Sequence, residues 1–206
     1  MTSHDIEVWG IGTPRTLRVH WALAELALEY RTNRVQTRTP MMDEPAFLAV
    51  SPGKKIPAIR HGDLLLTESA AITRYLMDSF SPLNWTVRER ALIDRFVYFS
   101  LMEVDATAFY VIRRHEGLPA IYGEAPIAVS AAYEYADRQL AVLSQLIGDQ
   151  MYCVADRFSE ADIHVVSVLA WGQMLDVQLP NNLLNYVENI KDRPSFQQAM
   201  LENTAN

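Results

Sequence analysis

Three short stretches of this chain carry residue types that could do chemistry. Gly10-Ile11-Gly12-Thr13-Pro14-Arg15 sets a hydroxyl and a guanidinium in a glycine-rich turn, Lys55-Ile56-Pro57 sets an ammonium group just before an X–Pro bond, and Glu68-Ser69 sets a carboxylate and a hydroxyl at the expected start of a helix. A helix N-terminus has unpaired N–H groups and the positive end of the helix dipole, so it suits a carboxylate. Ser69 adds a hydroxyl donor there, and Glu68 adds a negative charge that suits an ammonium group. Together they fit the head group of an α-amino acid. If the Ile56–Pro57 bond is cis, the backbone N–H and C=O of Ile56 turn outward, free to pair with an extended peptide. Only about 5–6% of X–Pro bonds in folded proteins are cis, so the residues alone leave that point open.

Other residue types narrow the chemistry by exclusion. Cys153 is the only cysteine, which rules out an intrachain disulfide and a thiolate metal cluster. It is expected to be a small buried apolar residue. His20, His61, His115 and His164 have no metal-ligand spacing, and His4 lies in a polar N-terminal stretch, so no metal site is expected. Gly10-Ile11-Gly12 lacks the third glycine of a phosphate-binding loop. A net charge of −7 argues against a nucleic-acid partner, which would want a basic face. No apolar run reaches the roughly 20 residues that span a bilayer. Met1 to Asp5 is polar, without the apolar core of a secretory leader. With the lone cysteine, these features lead to the expectation of a cytoplasmic protein in a reducing compartment, with no membrane partner.

The elements that must position these groups can be read in order. Ile6 to Trp9 reads as a strand, followed by a helix with Thr13 as cap and Pro14 at its first position. Leu17, Trp21, Ala24 and Leu28 share one face, so that helix is expected to run to about Leu28. Tyr30 to Val35 reads as a second strand, which completes a βαβ unit. Residues 36–50, with Pro40 and Pro45, read as irregular. Pro57–Arg60 and Leu64–Leu66 form a hairpin around His61-Gly62-Asp63, and a helix opens near Glu68 with Ala71, Ile72, Tyr75 and Leu76 on one face. The first 77 residues thus read βαβ then ββα, a thioredoxin-like arrangement with a mixed four-stranded sheet. Residues 78–86 read as a packed linker. From 87 to 206 everything reads helical: a long helix over 87–115, then 126–147, 159–175, 181–189 and a last one from Arg193. Ser159-Glu160-Ala161-Asp162 is a capping-box pattern.

These motifs resemble a known family. Ser51-Pro52-Gly53-Lys54-Lys55-Ile56-Pro57, followed by Glu68-Ser69-Ala70-Ala71-Ile72 and Tyr75-Leu76, is similar to the glutathione-binding half of the glutathione S-transferases. Asp156 to Ile163 resembles the folding motif of the all-helical half, and Arg193-Pro194-Ser195-Phe196 resembles its C-terminal pattern, so the resemblance covers nearly the full chain. The family often carries Asn-Pro-x-Gly-Lys; Ser51 and Lys54 stand here for the Asn and the Gly.

The resemblance implies a cis Pro57, pairing of Ile56 with the cysteinyl backbone of glutathione, Glu68 and Ser69 at the γ-glutamyl end, and Lys55 near the glycyl carboxylate. Thr13 matches the Ser of theta-like and bacterial members, which donates to the glutathione sulfur; Arg15 could add positive charge. The reaction needs the thiolate, the nucleophilic form of a thiol with an ordinary pKa near 8.5. The residues themselves allow Thr13 to be a helix cap only. Phe109, Tyr110, Arg113 and Trp171 could line an apolar pocket for the acceptor substrate. The resemblance also implies a homodimer. The function expected is transfer of glutathione to a small electrophile, with glutathione-dependent isomerisation or disulfide reduction, or a non-catalytic binding role on the same fold, as alternatives.

Overall fold

In Ile6-Glu7-Val8-Trp9 the buried Ile6 and Val8 alternate with Glu7, and the segment forms strand β1 (Ile6–Trp9). The structure, a computed structural model, describes residues 5–204; His4 and the residues before it lie outside the described residues. β1 runs parallel to β2 (Arg31–Asn33) and antiparallel to β3 (Ala58–His61), which pairs antiparallel with β4 (Leu64–Thr67). The sheet is mixed and four-stranded, in the order β2-β1-β3-β4. Helix α1 (Pro14–Glu25) joins β1 to β2, and α3 (Ser69–Phe80) follows β4. This is the thioredoxin-like βαβ-ββα order expected from the sequence.

Two local differences have physical causes. Residues 36–50 are not irregular: they hold a 3-10 turn at Pro40–Asp43 and helix α2 (Pro45–Val50). Each starts on a proline, whose missing N–H costs nothing at a first helical position. Here the prolines start helices rather than break them. Phe47 and Val50 of α2 join Trp9, Val35, Ile56 and Ala58 in a buried cluster, with Met41 and Met42 packed against it. Helix α1 ends about one turn earlier than the apolar pattern predicts. The Leu28 N–H reaches the Leu23 carbonyl at 3.0 Å and the Ala27 N–H reaches Ala24 at 3.1 Å, while Ala27 has φ 50°. That is a Schellman stop in which Ala occupies the position glycine usually fills, so no residue announces it.

The chain divides into two compact units, one holding the described residues up to Asn84 together with those from Lys191 on, the other Trp85–Ile190. The first includes the last helix, α10 (Pro194–Asn203), which packs on α1. Trp21 meets Phe196 edge-on at 4.9 Å and donates to the Ser195 hydroxyl, and Arg193 pairs with Glu25. In the same unit His20 is fully buried on α1. Its Nε2 lies 3.0 Å from the Gly10 carbonyl, which can only accept, so Nε2 carries the proton and Nδ1 accepts from the Tyr30 hydroxyl. Burial holds His20 below its ordinary range; the Gly10 bond and Glu202 pull it up, and Arg34 pulls it down.

The second unit runs through α4 (Val87–Tyr98), a π-helical stretch at Phe99–Phe109, α5 (Tyr110–His115), α6 (Pro119–Tyr122), α7 (Pro126–Ile147), α8 (Glu160–Met174) and α9 (Asn181–Lys191). The long helix expected over 87–115 is continuous, but its middle is wound as a π-helix; there the Thr107 hydroxyl bonds the Met102 carbonyl, five residues back. Ser159 caps α8 with the expected capping box, completed by Asp162. Asp162 also accepts from the Cys153 N–H at 2.8 Å and from the Tyr186 hydroxyl. With the Tyr186 proton on Asp162, the Cys153 thiol donates to Tyr186 oxygen at 3.1 Å. Cys153 is buried as expected, and burial pushes its thiol well up.

Two stability predictions follow from these networks. Asp162→Ala strands several buried donors at once and should lower stability by about 3–5 kcal/mol in urea titration; a loss under about 1 kcal/mol would contradict the hub. The fold keeps His20 neutral to a lower pH than the unfolded chain does. Its contribution is therefore complete above the ordinary value of 6.5 and is lost as pH falls toward the folded value. His20→Gln should flatten the acid side of the stability–pH curve relative to the unsubstituted protein.

Candidate functional site

Strand register builds the site. Trp9 of β1 stands beside Ala58 of β3, which stands beside Thr67 of β4. The chain therefore leaves β1 into Gly10, enters β3 from Ile56-Pro57 and leaves β4 into Glu68, all at one end of the sheet. Gly10 has φ 121°, and a Cβ there would lie 2.5 Å from the Cβ of Ile56 and 2.9 Å from the Thr16 methyl. The turn after β1 is thus pressed directly onto Ile56. The Ile56–Pro57 bond is cis. Ile56 and Pro57 are buried and Lys55 is exposed.

The two departures from the family pattern are accommodated. The Ser51 hydroxyl donates to the Lys55 carbonyl at 2.8 Å and accepts the Lys55 N–H at 3.2 Å, so a serine shapes the loop leading to Ile56. Lys54 sits at φ 50°, the left-handed backbone a glycine takes freely, and its ammonium pairs with Asp43.

At the far strand, Glu68 is exposed at φ 68°, ψ 113°, outside the ordinary regions for a non-glycine residue. Backbone strain of this kind clusters at ligand-binding positions, where the surrounding structure enforces it. Ser69 opens α3, and no side chain caps that helix. Arg18 of α1 is fully buried, and its Nη1 donates to the Ser69 hydroxyl at 3.2 Å. The hydroxyl accepts in that bond and keeps its own proton to donate. Arg18 was not anticipated from the sequence. Its signal was available: a guanidinium one turn before Trp21 and Ala22 on an otherwise apolar helix face.

Thr13 is a helix cap whose hydroxyl retains its proton. Its Oγ1 accepts the Thr16 N–H at 3.1 Å, and the Thr13 N–H donates to Thr16 Oγ1 at 3.0 Å. The two hydroxyl oxygens are 3.0 Å apart. Thr16 has closer acceptors for its proton, the Thr13 carbonyl at 2.8 Å and Asn203 Oδ1 at 2.6 Å. Its proton goes to one of these, and the Thr13 proton stays available. Thr13 and Arg15 are both half-buried. Asn203, from the other end of the chain, was not read as part of this loop.

In the second unit, Phe109 is fully buried and meets Trp171 edge-on at 5.9 Å. Tyr110, half-buried, lies 6.4 Å from Trp171. Arg113, also half-buried, follows on α5. Phe109 thus packs as support behind Trp171, while Tyr110 and Arg113 reach the surface. Among the described residues, no group of three or more His, Cys, Asp or Glu side chains could hold a metal ion, and no helix is long and apolar enough to cross a membrane.

Comparison with known proteins agrees with this geometry. The N-terminal domain model of glutathione S-transferase matches residues 13–79, and the C-terminal domain model of glutathione S-transferase matches residues 103–194. Glutathione S-transferase 1 of Schizosaccharomyces pombe is 28% identical over 170 residues, covering 80% of this chain and 72% of its own. The disulfide-bond oxidoreductase YfcG of Escherichia coli is 28% identical over 207 residues, covering 96% of this chain and 95% of its own. A glutathione transferase family member from Pseudomonas fluorescens, solved with two glutathione bound, superimposes with a TM-score of 0.84 at 24% identity over 95% of this chain and 92% of its own. The two domain models together span most of the sequence, and the chain belongs to the glutathione S-transferase family.

Proposed function

We propose that this protein binds glutathione and activates its thiolate for attack on a small electrophilic, apolar substrate. The observation that carries this reading is the convergence of the Gly10–Thr13 turn, Ile56-Pro57 and Glu68-Ser69 at one end of the sheet. The tripeptide would lie along Ile56, with its cysteinyl backbone on the Ile56 N–H and C=O and its glycyl carboxylate toward Lys55. Its γ-glutamyl carboxylate would meet the Ser69 hydroxyl and the first N–H groups of α3, with its ammonium at Glu68. The Thr13 hydroxyl would donate to the sulfur, and Arg15 would add positive charge; both favour the thiolate over the thiol. The thiolate then forms a bond to the electrophilic carbon of the acceptor as the leaving group departs with its electron pair. Tyr110, Arg113 and Trp171, with Phe109 behind them, would line an apolar pocket for the acceptor substrate. The assignment includes a theta-like type with Thr in place of the catalytic Ser, a homodimer in the cytoplasm, and a division along the sequence into a glutathione-binding domain (1–77), a linker (78–86) and a helical domain (87–206), whose last helix, α10, packs back on α1.

A second reading is disulfide reduction through the same thiolate. It is favoured by the similarity to YfcG, named a disulfide-bond oxidoreductase, over nearly the whole length of both chains.

Immobilised glutathione should retain the protein. Ser69→Ala should weaken that retention by about 1–3 kcal/mol, roughly fivefold to 150-fold in affinity. Absence of any retention refutes the assignment. Turnover of a chloronitrobenzene acceptor against turnover of a disulfide substrate decides between the two chemistries.

A further inference from the structure

The turn after β1 is held from an unexpected direction. Its first two N–H groups pair with β2 and the segment after it: Gly10 with the Asn33 carbonyl and Ile11 with the Val35 carbonyl, each at 3.0 Å. The Gly12 N–H instead points at Asn203 near the end of α10, 2.9 Å from its carbonyl and 3.1 Å from its Oδ1. Asn203 Oδ1 also receives the Thr16 hydroxyl at 2.6 Å, and Asn203 Nδ2 donates to the Thr13 carbonyl at 3.2 Å. Oδ1 faces two donors and Nδ2 faces an acceptor, so the amide orientation is consistent with all three bonds. One side chain therefore grips the residue before Thr13, the carbonyl of Thr13 and the hydroxyl paired with it.

We propose that Asn203 is a positioning residue for the thiol-activating hydroxyl, acting through Thr13. This rests on the glutathione-activating reading above. The Thr13 hydroxyl can donate to sulfur only if its oxygen is held in place. Thr16 is the partner that holds it, with its N–H on Thr13 Oγ1 at 3.1 Å and its own oxygen on the Thr13 N–H at 3.0 Å. Asn203 accepts the Thr16 hydroxyl, which fixes that partner, and ties the Gly12–Thr13 peptide to α10. The remaining anchors of α10 explain why it can serve as a fixed post: Phe196 packs on Trp21, and Arg193 and Ser195 bond Glu25. None of these touches the turn, so Asn203 can be changed without releasing the helix.

A double-mutant cycle tests this. The readout is the pKa of the glutathione thiol bound to the full-length protein, followed by thiolate absorbance against pH. The affinity for glutathione is measured alongside. Asn203→Ala should raise the bound thiol's pKa by about half a unit to one unit, a threefold to tenfold fall in its acid dissociation constant. Glutathione affinity should stay within about twofold, because the tripeptide contacts lie elsewhere. In a Thr13→Ala background the same change should do nothing further to the pKa, since the group it acts through is gone. A shift of equal size in both backgrounds, or no shift in either, overturns the proposal. If Asn203→Ala does not fold, Asn203→Asp enters the same cycle. Its added charge acts in both backgrounds and cancels, leaving only the coupling to Thr13. Failure of the unsubstituted protein to bind glutathione at all sinks the underlying reading and this one with it; binding with an additive cycle sinks this one alone.

Discussion

The close approach of Gly10 to Ile56 is the constraint on which the rest of the site depends. No side chain fits between them, since a Cβ at Gly10 would sit 2.5 Å from that of Ile56. Because the turn lies flat on Ile56, Thr13 and the Ile56 backbone share one end of the sheet, and Glu68-Ser69 is added by β4 pairing with β3. The sheet needs only three paired strands to do this, which is why the site survives in a unit whose strands are three or four residues long. His20 supports the same turn from behind through the Gly10 carbonyl, and Asn203 holds its far end. The turn is fixed at every backbone N–H from Gly10 to Thr13, so its geometry is set before any ligand arrives.

The fold was legible where residue type and backbone demand coincide. Pro126 opened α7 and Gly148 closed it, at the bounds read from the sequence. Ser159 and Asp162 formed the capping box their spacing announces. The errors fall where one residue does another's work. Ala27 takes the left-handed position that ends α1, so the helix looked longer than it is. Pro40 and Pro45 start helical turns in a stretch that their presence made look irregular. The π-helical winding of 99–109 has no counterpart in the apolar pattern, because a helix wound either way buries much the same residues.

The candidate site was legible in its local motifs and not in its long-range supports. Lys55-Ile56-Pro57, Glu68-Ser69 and Thr13 are adjacent in sequence to the elements that place them, so short motifs and the family resemblance those motifs carry were enough to single them out. Arg18 reaches Ser69 across 51 positions and Asn203 reaches Gly12 across 191. A periodic pattern carries no information at that separation. The substitution of Lys54 for glycine looked like a weakening of the motif, yet the lysine adopts the same left-handed backbone and gains an ion pair with Asp43. That pair is between exposed groups and contributes at most about 1 kcal/mol, so the backbone conformation is set mainly by the loop that Ser51 closes.

Capping and the proposed contact to a thiolate make different demands on the Thr13 hydroxyl, and they are compatible for a simple reason. Capping uses an oxygen lone pair, while activating a thiolate uses the proton. The N–H of Thr16 takes one lone pair at 3.1 Å, and that bond is the same whether the proton points at Thr16 Oγ1 or at a sulfur. Moving the proton from Thr16 to a thiolate exchanges a neutral hydrogen bond for a charge-assisted one, which is roughly twice as strong. Thr16 loses little, because its oxygen still accepts the Thr13 N–H and its own proton still has an acceptor. The cap therefore holds the hydroxyl in position without consuming the proton. The same economy applies at Ser69, whose oxygen accepts from Arg18 while its proton is left for a carboxylate. In both places the protein satisfies the oxygen, and the proton is left for the ligand that we propose.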